Sequence, residues 1–126
     1  MVISKVGVFF NYQAGYLSCY IWNLNQLLFL PTAGSLEDAR KLATTLVEQK
    51  LAACAQISEI ESFYTWENDV QNDQEFRIMV KTTKDKYKDV EKAILKIHSY
   101  DLPAIYSVDV NELYKPYGDW VNESLK

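Results

Sequence analysis

The sequence predicts an α+β domain in which the elements follow the order β-α-β-β-α-β, with one more helix at the C-terminus. Three observations support this order. Two stretches carry apolar side chains at helical spacing, a long central run alternates as a half-buried strand does, and short apolar runs stand before and after them. A chain of 126 residues is long enough to bury one core of this kind but not two.

The first strand is predicted at residues 26–33, a continuous apolar run that includes Pro31. A helix is predicted over residues 35–50, because Ser35 is a good capping residue and an apolar stripe follows it. That stripe consists of Leu36, Ala39, Leu42, Ala43 and Leu46.

The second and third strands are predicted at residues 51–66 and 70–82, with a tight turn at Glu67-Asn68-Asp69 between them. In the third strand Phe76, Ile78 and Val80 alternate with polar or longer side chains, which indicates a strand with one buried face. A hairpin of this length exceeds what a small domain can cover. We therefore expect its outer part to pack against another chain.

The second helix is predicted over residues 83–98, where Tyr87, Val90, Ile94 and Ile97 recur at helical spacing. Pro103 favours an extended backbone before a fourth strand at 104–110, and a short last helix covers 117–125. Right-handed crossovers turn this order into a ferredoxin-like sandwich, an antiparallel four-stranded sheet with both helices on one face. The other face is left uncovered, which favours a homo-oligomer.

Composition excludes several function classes. The formal net charge is −4 and no basic stripe is present, so nucleic-acid binding is not expected. Two cysteines are too few for a disulfide framework, which favours a cytoplasmic location. Residues 1–25 contain an apolar run too short for a signal peptide and too interrupted for a membrane span. We interpret them as an apolar N-terminal extension before a domain at 26–126, with no membrane partner.

Five stretches, in order, resemble the CutA family of divalent-cation tolerance proteins. They are "LVEQKLAAC" (46–54), "SFYTWEN" (62–68), the run from Glu75 to "KTT" (81–83), "HSYDLP" (98–103) and "YGDW" (117–120). The resemblance spans about residues 27–126. It implies a ferredoxin-like homotrimer with long hairpins that pair between chains, a role in tolerance of copper and other divalent cations, and no enzymatic reaction. Cu(II) or another divalent cation is the only cofactor it implies.

His98 is the only histidine and the first metal-ligand candidate. It stands at the predicted end of a helix. The alternative to metal binding is therefore a structural role, in which the ring completes a hydrogen bond at the helix end. Conceivable partners for a metal at a subunit seam are Cys54, Glu67 and Glu75. The sequence departs from the family pattern at Pro31, where a cysteine is common, and at Ala104, where a glutamate is common.

The remaining candidates also have two readings each. Cys54 is either a buried inert thiol or a ligand. Glu75 and Lys81 are six residues apart on one strand and therefore share a face, where they form a structural ion pair or, with Tyr100, line a ligand cleft. The aromatic candidates are anchors of the core or of the trimer seam: Tyr64, Trp66 and Trp120.

Two alternatives to a metal-tolerance trimer stay open. A ligand-sensing trimer that resembles PII-type proteins would share the architecture and bind a nucleotide or another small ligand between subunits. That class favours a long flexible loop and basic phosphate contacts, whereas the hairpin turn here is tight and acidic. A small enzyme on this fold ranks third, because no nucleophile stands beside an evident base.

Overall fold

The computed structural model describes residues 25–126, and its α+β architecture agrees with the predicted class. The strands are β1 Gln26–Phe29, β2 Thr32–Ala33, β3 Cys54–Trp66, β4 Asp69–Thr83 and β5 Ser107–Asp109. The helices are α1 Leu36–Glu48, α2 Tyr87–Ile97 and α3 Lys115–Ser124. The proposed extension at 1–25 lies outside the described residues apart from Asn25. No helix within 25–126 has the length and apolar character needed to cross a membrane.

The sheet is antiparallel throughout. β4 lies at its centre, with β3 on one side and β1 and β2 on the other, and β5 pairs with the outer edge of β1. The prediction of four strands was wrong by one, because Pro31 divides the first strand into β1 and β2. Both pieces keep one register against β4, with Gln26 opposite Thr83 and Thr32 opposite Arg77. The interruption arises because proline has no N–H to donate to the ladder.

The hairpin of β3 and β4 is the longest feature of the fold. Its thirteen pairs run without a bulge from Cys54 opposite Lys81 to Trp66 opposite Asp69. Thirteen pairs extend roughly 40 Å, whereas the thirteen residues of α1 extend about 20 Å. The turn consists of Glu67 and Asn68, both with positive φ (51° and 67°), as a two-residue turn of type I′ requires. The predicted turn was one residue too long.

Both α1 and α2 pack on the same face of the sheet, which we call the helix-covered face. The core is formed by apolar side chains of the two helices and of the central strands: Leu27, Phe29, Ala39, Leu42, Leu46, Ile78, Val80, Val90 and Ile94. Ser35 caps α1 as predicted, since the N–H of Asp38 donates to its Oγ at 3.1 Å. Such a cap is worth about 1 kcal/mol.

The opposite side of the sheet, the open face, carries Glu75, Arg77 and Lys81 on β4. Among the helices within residues 25–126, only α3 covers it, and only at one end. There α3 packs through the buried residues Gly118 and Val121, and Gln26 Nε2 donates to Asn122 Oδ1 at 3.2 Å. The rest of the open face holds the cavity described below.

Several predicted boundaries differ from the observed ones: α1 is Leu36–Glu48 instead of 35–50, β3 begins at Cys54 instead of 51, β4 is Asp69–Thr83 instead of 70–82, and α3 is Lys115–Ser124 instead of 117–125. Two further elements also differ. The helix predicted at 83–98 begins with a 3-10 turn at Lys84–Lys86, and α2 proper starts at Tyr87. Thr83 Oγ1 donates to Asp85 Oδ1 at 2.5 Å in that turn. The strand predicted at 104–110 is only Ser107–Asp109, because the strand it pairs with, β1, ends at Phe29.

Candidate functional site

A cavity of about 760 Å³ lies on the open face, between the hairpin and the loop that follows α2. Its floor is formed by side chains of β3 and β4 that point away from the helices, including Ile60, Tyr64 and Glu75. Its wall is formed by residues 99–106, and Tyr100 and Tyr106 lie there. We call it the open-face cavity. Its size is typical of a small-molecule site.

Glu75 and Tyr100 form the polar centre of this cavity. Glu75 is only 8% exposed. The Tyr100 hydroxyl donates a hydrogen bond to Oε2 of Glu75 at 3.2 Å. Tyr100 is 39% exposed as a residue, but the partial burial of its phenol, followed by the charge of the Glu75 carboxylate and the hydrogen bond to it, raises the pKa of Tyr100 to about 12. At neutral pH the phenol therefore stays protonated and remains a donor to Glu75.

A second tyrosine-carboxylate pair lies further out on the same hairpin. The Tyr64 hydroxyl donates to Asp73 Oδ2, and that hydrogen bond is the main reason that the pKa of Tyr64 is raised. Asp73 precedes Glu75 by two residues and so lies on the same face of β4. Arg77 is the one basic residue that lines the open-face cavity within 25–126, and Asp101 is an additional acidic one.

His98 lies at the edge of the cavity and holds the loop in place. It ends α2, and its ring Nε2 is 2.6 Å from the carbonyl oxygen of Thr32. The N–H of Tyr100 donates to Nδ1 at 3.0 Å. These contacts assign the proton to Nε2. Nδ1 accepts a hydrogen bond and so carries no proton, and the Thr32 carbonyl can only accept, so Nε2 must be the donor. In this arrangement the ring has no lone pair left for a metal ion.

Gly34 completes the support of Tyr100. A Cβ at this position would lie 2.7 Å from the Tyr100 hydroxyl oxygen and 3.2 Å from Cε1. The tyrosine ring therefore passes directly over the backbone at the start of α1. The absence of a side chain at Gly34 is what allows Tyr100 to reach Glu75.

The structure brings some of the predicted candidates together and separates others. His98, Tyr100 and Glu75 form one connected group, and Tyr64 and Trp66 line the same cavity. Cys54 and Lys81 are paired at the other end of the hairpin, about 20 Å along the strand from Glu75. Lys81 Nζ lies 5.5 Å from the centre of the Tyr117 ring instead of near Glu75.

Glu67 lies in the turn at the tip of the hairpin, and Trp120 lies on α3, stacked on Tyr117. Tyr64, Trp66 and Trp120 are 43%, 53% and 48% exposed, so none of them belongs to the core formed by residues 25–126. Within residues 25–126, no three of the His, Cys, Asp and Glu side chains stand close enough to share a metal ion.

Several residues of the site were not found from the sequence, among them the lining residues Ile60, Asp101 and Tyr106. Asp73 had a usable signal, because its spacing of two from Glu75 places both on one strand face. Thr32 and Gly34 had none, since their roles depend on contacts with residues 66 positions away in the chain.

Comparison with known proteins identifies the class. The family model of the CutA1 divalent ion tolerance protein matches residues 27–124. The divalent-cation tolerance protein CutA of Archaeoglobus fulgidus is 38% identical over 95 residues, which cover 75% of this chain and 93% of that protein. The CutA1 crystal structure from Ehrlichia chaffeensis aligns with a TM-score of 0.77 at 38% identity, over 81% of this chain and 96% of that one.

The structure of the periplasmic divalent cation tolerance protein CutA from Archaeoglobus fulgidus aligns with a TM-score of 0.79 at 36% identity, over 80% of this chain and 99% of that one. Sequence and fold therefore define a small α+β protein of the divalent-cation tolerance class. The chain belongs to the CutA1 family.

Proposed function

We propose that this protein acts in divalent-cation tolerance by binding, without catalysing a reaction, as a homotrimer of ferredoxin-like subunits with a ligand cleft at the subunit seam. The observation that carries the proposal is the open-face cavity, with the buried Glu75 carboxylate at its centre and exposed aromatic side chains around it. The strand order β3-β4-β1-β5, with β2 as a continuation of β1, supports the ferredoxin-like assignment.

The trimer is supported by what a single chain leaves uncovered. The hairpin is about twice as long as α1, and Tyr64 and Trp66 near its tip are about half exposed on the open face. Large apolar patches of this kind mark interaction surfaces. Sedimentation should give a mass three times the 14.6 kDa of the chain. A monomer at micromolar concentration would contradict the assembly.

Binding rather than catalysis is supported by the chemistry of the cavity. The Tyr100 phenol keeps its proton at neutral pH, and the thiol of Cys54 lies at the far end of the hairpin. The polar groups of the cavity are therefore placed to hold a ligand, and no serine, threonine or cysteine side chain hydrogen-bonded to a histidine base stands among the described residues that line it.

For metal ions we propose weak binding of Cu(II) or another divalent cation through His98 at the seam between subunits. Metal binding requires that Nδ1 first release the N–H of Tyr100 or that Nε2 release Thr32, and either step lowers the affinity. A calorimetric titration of tag-free protein with Cu(II) and Zn(II) tests this. Binding by the wild type that His98→Ala abolishes supports His98 as a ligand. Equal binding of the metal ions by the wild type and by His98→Ala would show that His98 is not a metal ligand.

A small organic ligand is the second candidate for the cleft, favoured by the volume of the open-face cavity. The nucleotide expected of a PII-like sensor fits less well. Two carboxylates, those of Glu75 and Asp101, line the cavity, whereas Arg77 is the one basic side chain among the described lining residues. This balance of charge disfavours a phosphate group. A thermal-shift screen separates these classes, since a ligand at 100 times its dissociation constant stabilises the fold by about 2.7 kcal/mol.

A further inference from the structure

The carboxylate of Glu75 is buried but only partly paired. Its Oε2 accepts one hydrogen bond from Tyr100, and no other bond to this side chain is formed within residues 25–126. No buried polar side-chain atom in that part of the chain lacks a partner. The second oxygen, Oε1, has no partner there and is therefore accessible to solvent, and Glu75 is one of the residues that line the open-face cavity. A carboxylate in such a position favours a ligand that carries a hydrogen-bond donor, and most of all a positively charged donor.

The surroundings do not neutralise this charge. Arg77 lies on the same strand face two residues away, yet it forms no ion pair with any carboxylate among the described residues. Asp101 adds a second acidic side chain to the wall. The hydroxyl of Tyr100 is already bonded to Oε2. The cavity therefore has a negative centre that favours a cation.

The walls determine what kind of cation fits. Aromatic rings line much of the cavity, namely Tyr64, Trp66, Tyr100 and Tyr106. The faces of such rings attract organic cations and also contact an apolar body. A volume of about 760 Å³ is far larger than a single ion needs. A divalent metal would also require several ligating oxygens or nitrogens, whereas Glu75 offers one open oxygen.

We infer that the open-face cavity binds a small organic ammonium ion with an aromatic or apolar body, whose N–H group donates to Oε1 of Glu75. This inference rests on the proposed function of the cavity as a ligand cleft. It is independent of His98, whose ring is engaged with Thr32 and Tyr100. An anionic ligand of the same shape would meet Glu75 and Asp101 and is excluded by their charge.

Three probes that share a scaffold but differ in charge test the inference: 2-phenylethylammonium, 2-phenylethanol and phenylacetate. Calorimetry on the full chain should show that the ammonium binds and that the alcohol and the carboxylate bind at least about tenfold more weakly, as expected when one charge-assisted hydrogen bond is lost. Equal binding of all three, or binding of none, would overturn the inference.

Two glutamates provide a matched pair of variants. Glu75→Gln keeps the shape and the acceptor for Tyr100 while it removes the charge, so affinity for 2-phenylethylammonium should fall at least about tenfold. Glu59→Gln makes the same change on the helix-covered face, opposite Phe76, and should change affinity less than about twofold. A Glu75→Gln protein that folds and binds like the wild type would contradict the inference.

A third variant leaves the charge in place. Ile60 lies opposite Glu75 and lines the cavity, so Ile60→Phe should fill part of the space and weaken ammonium binding. Sedimentation of the same samples separates this inference from the proposed function. If the protein is a trimer that binds none of the probes, the inference is overturned and the proposed assembly stands. The same conclusion holds if a neighbouring subunit fills the cavity. A monomer that binds the ammonium overturns the assembly alone.

Discussion

The imidazole of His98 and the main-chain carbonyl of Thr32 are joined by a contact of 2.6 Å between Nε2 and the oxygen. This contact connects the end of α2 to β2, two elements 66 residues apart in the sequence. The same ring accepts the N–H of Tyr100, so one side chain fixes both the end of the helix and the start of the cavity wall. His98 therefore positions Tyr100 relative to Glu75.

Replacement of His98 by alanine should lower the free energy of unfolding by about 1–3 kcal/mol, because two hydrogen bonds are lost. Chemical denaturation of the purified variant measures this. Lys92→Ala, an exposed change in the same helix, is the control and should remain within about 0.5 kcal/mol of the wild type. If both variants have the stability of the wild type, the contacts of the ring do not contribute to folding.

The phenol of Tyr100 should titrate near pH 12, later than an ordinary tyrosine. The difference in ultraviolet absorbance between the wild type and Tyr100→Phe isolates this group from the other tyrosines. Glu75→Gln should lower the pKa of Tyr100 but leave it above 10, because burial is the largest cause of the shift and the carboxylate comes second. A transition at pH 10 in the wild type would contradict the shielding of this phenol by its partial burial and its placement beside Glu75.

The same shift affects stability at alkaline pH. The folded-state pKa of Tyr100 is raised, so its contribution to stability is complete below the unfolded value of about 10. It is lost as the pH rises towards about 12. Between these values Tyr100→Phe, which has no ionisable group, should lose less stability than the wild type. Unfolding curves at pH 9 and pH 11, chosen to lie on the two sides of about 10, test the direction.

Gly34→Ala should displace Tyr100, because the new Cβ would lie 2.7 Å from its hydroxyl oxygen. The absorbance titration should then show the pKa of Tyr100 shifted down towards 10. A double-mutant cycle with Tyr100→Ala provides the control, since Gly34→Ala should have little effect once the ring is gone. An equal effect in both backgrounds would mean that the glycine is needed for a different reason.

Ile94 and Leu95 are neighbours in α2 with opposite environments. Ile94 is fully buried and Leu95 is 57% exposed. Ile94→Ala should lower the free energy of unfolding by about 2–5 kcal/mol, because it leaves a cavity in the core. Leu95→Ala should change it by less than about 1 kcal/mol. Similar losses at both positions would indicate that the exposed side of α2 packs against another chain.

The fold was largely predictable from local patterns. The alternation of Phe76, Ile78 and Val80 identified β4, and the apolar stripes identified α1 and α2. The boundaries were less predictable, because they depend on pairing partners. The length of β5, for example, is set by the end of β1, which no pattern within residues 104–110 records.

The site was only partly predictable for the same reason. Glu75, Tyr100 and His98 were named as candidates, but the sequence could not show that Tyr100 donates its hydroxyl to Glu75 and its N–H to His98. These contacts join residues that are far apart in the chain. Lys81 shares a strand face with Glu75 as expected, yet Tyr117 of α3 attracts its ammonium group. Which neighbour a side chain contacts is decided by packing.

The unbroken register of the hairpin limits how related chains can vary in length. If each strand gained one residue, Tyr64 and Trp66 would move to the face opposite Glu75, because side chains alternate along a strand. Only a gain or loss of two residues in each strand keeps the tip and the cavity on the same side. Hairpin length in this family should therefore change in steps of four residues wherever the aromatic tip is retained.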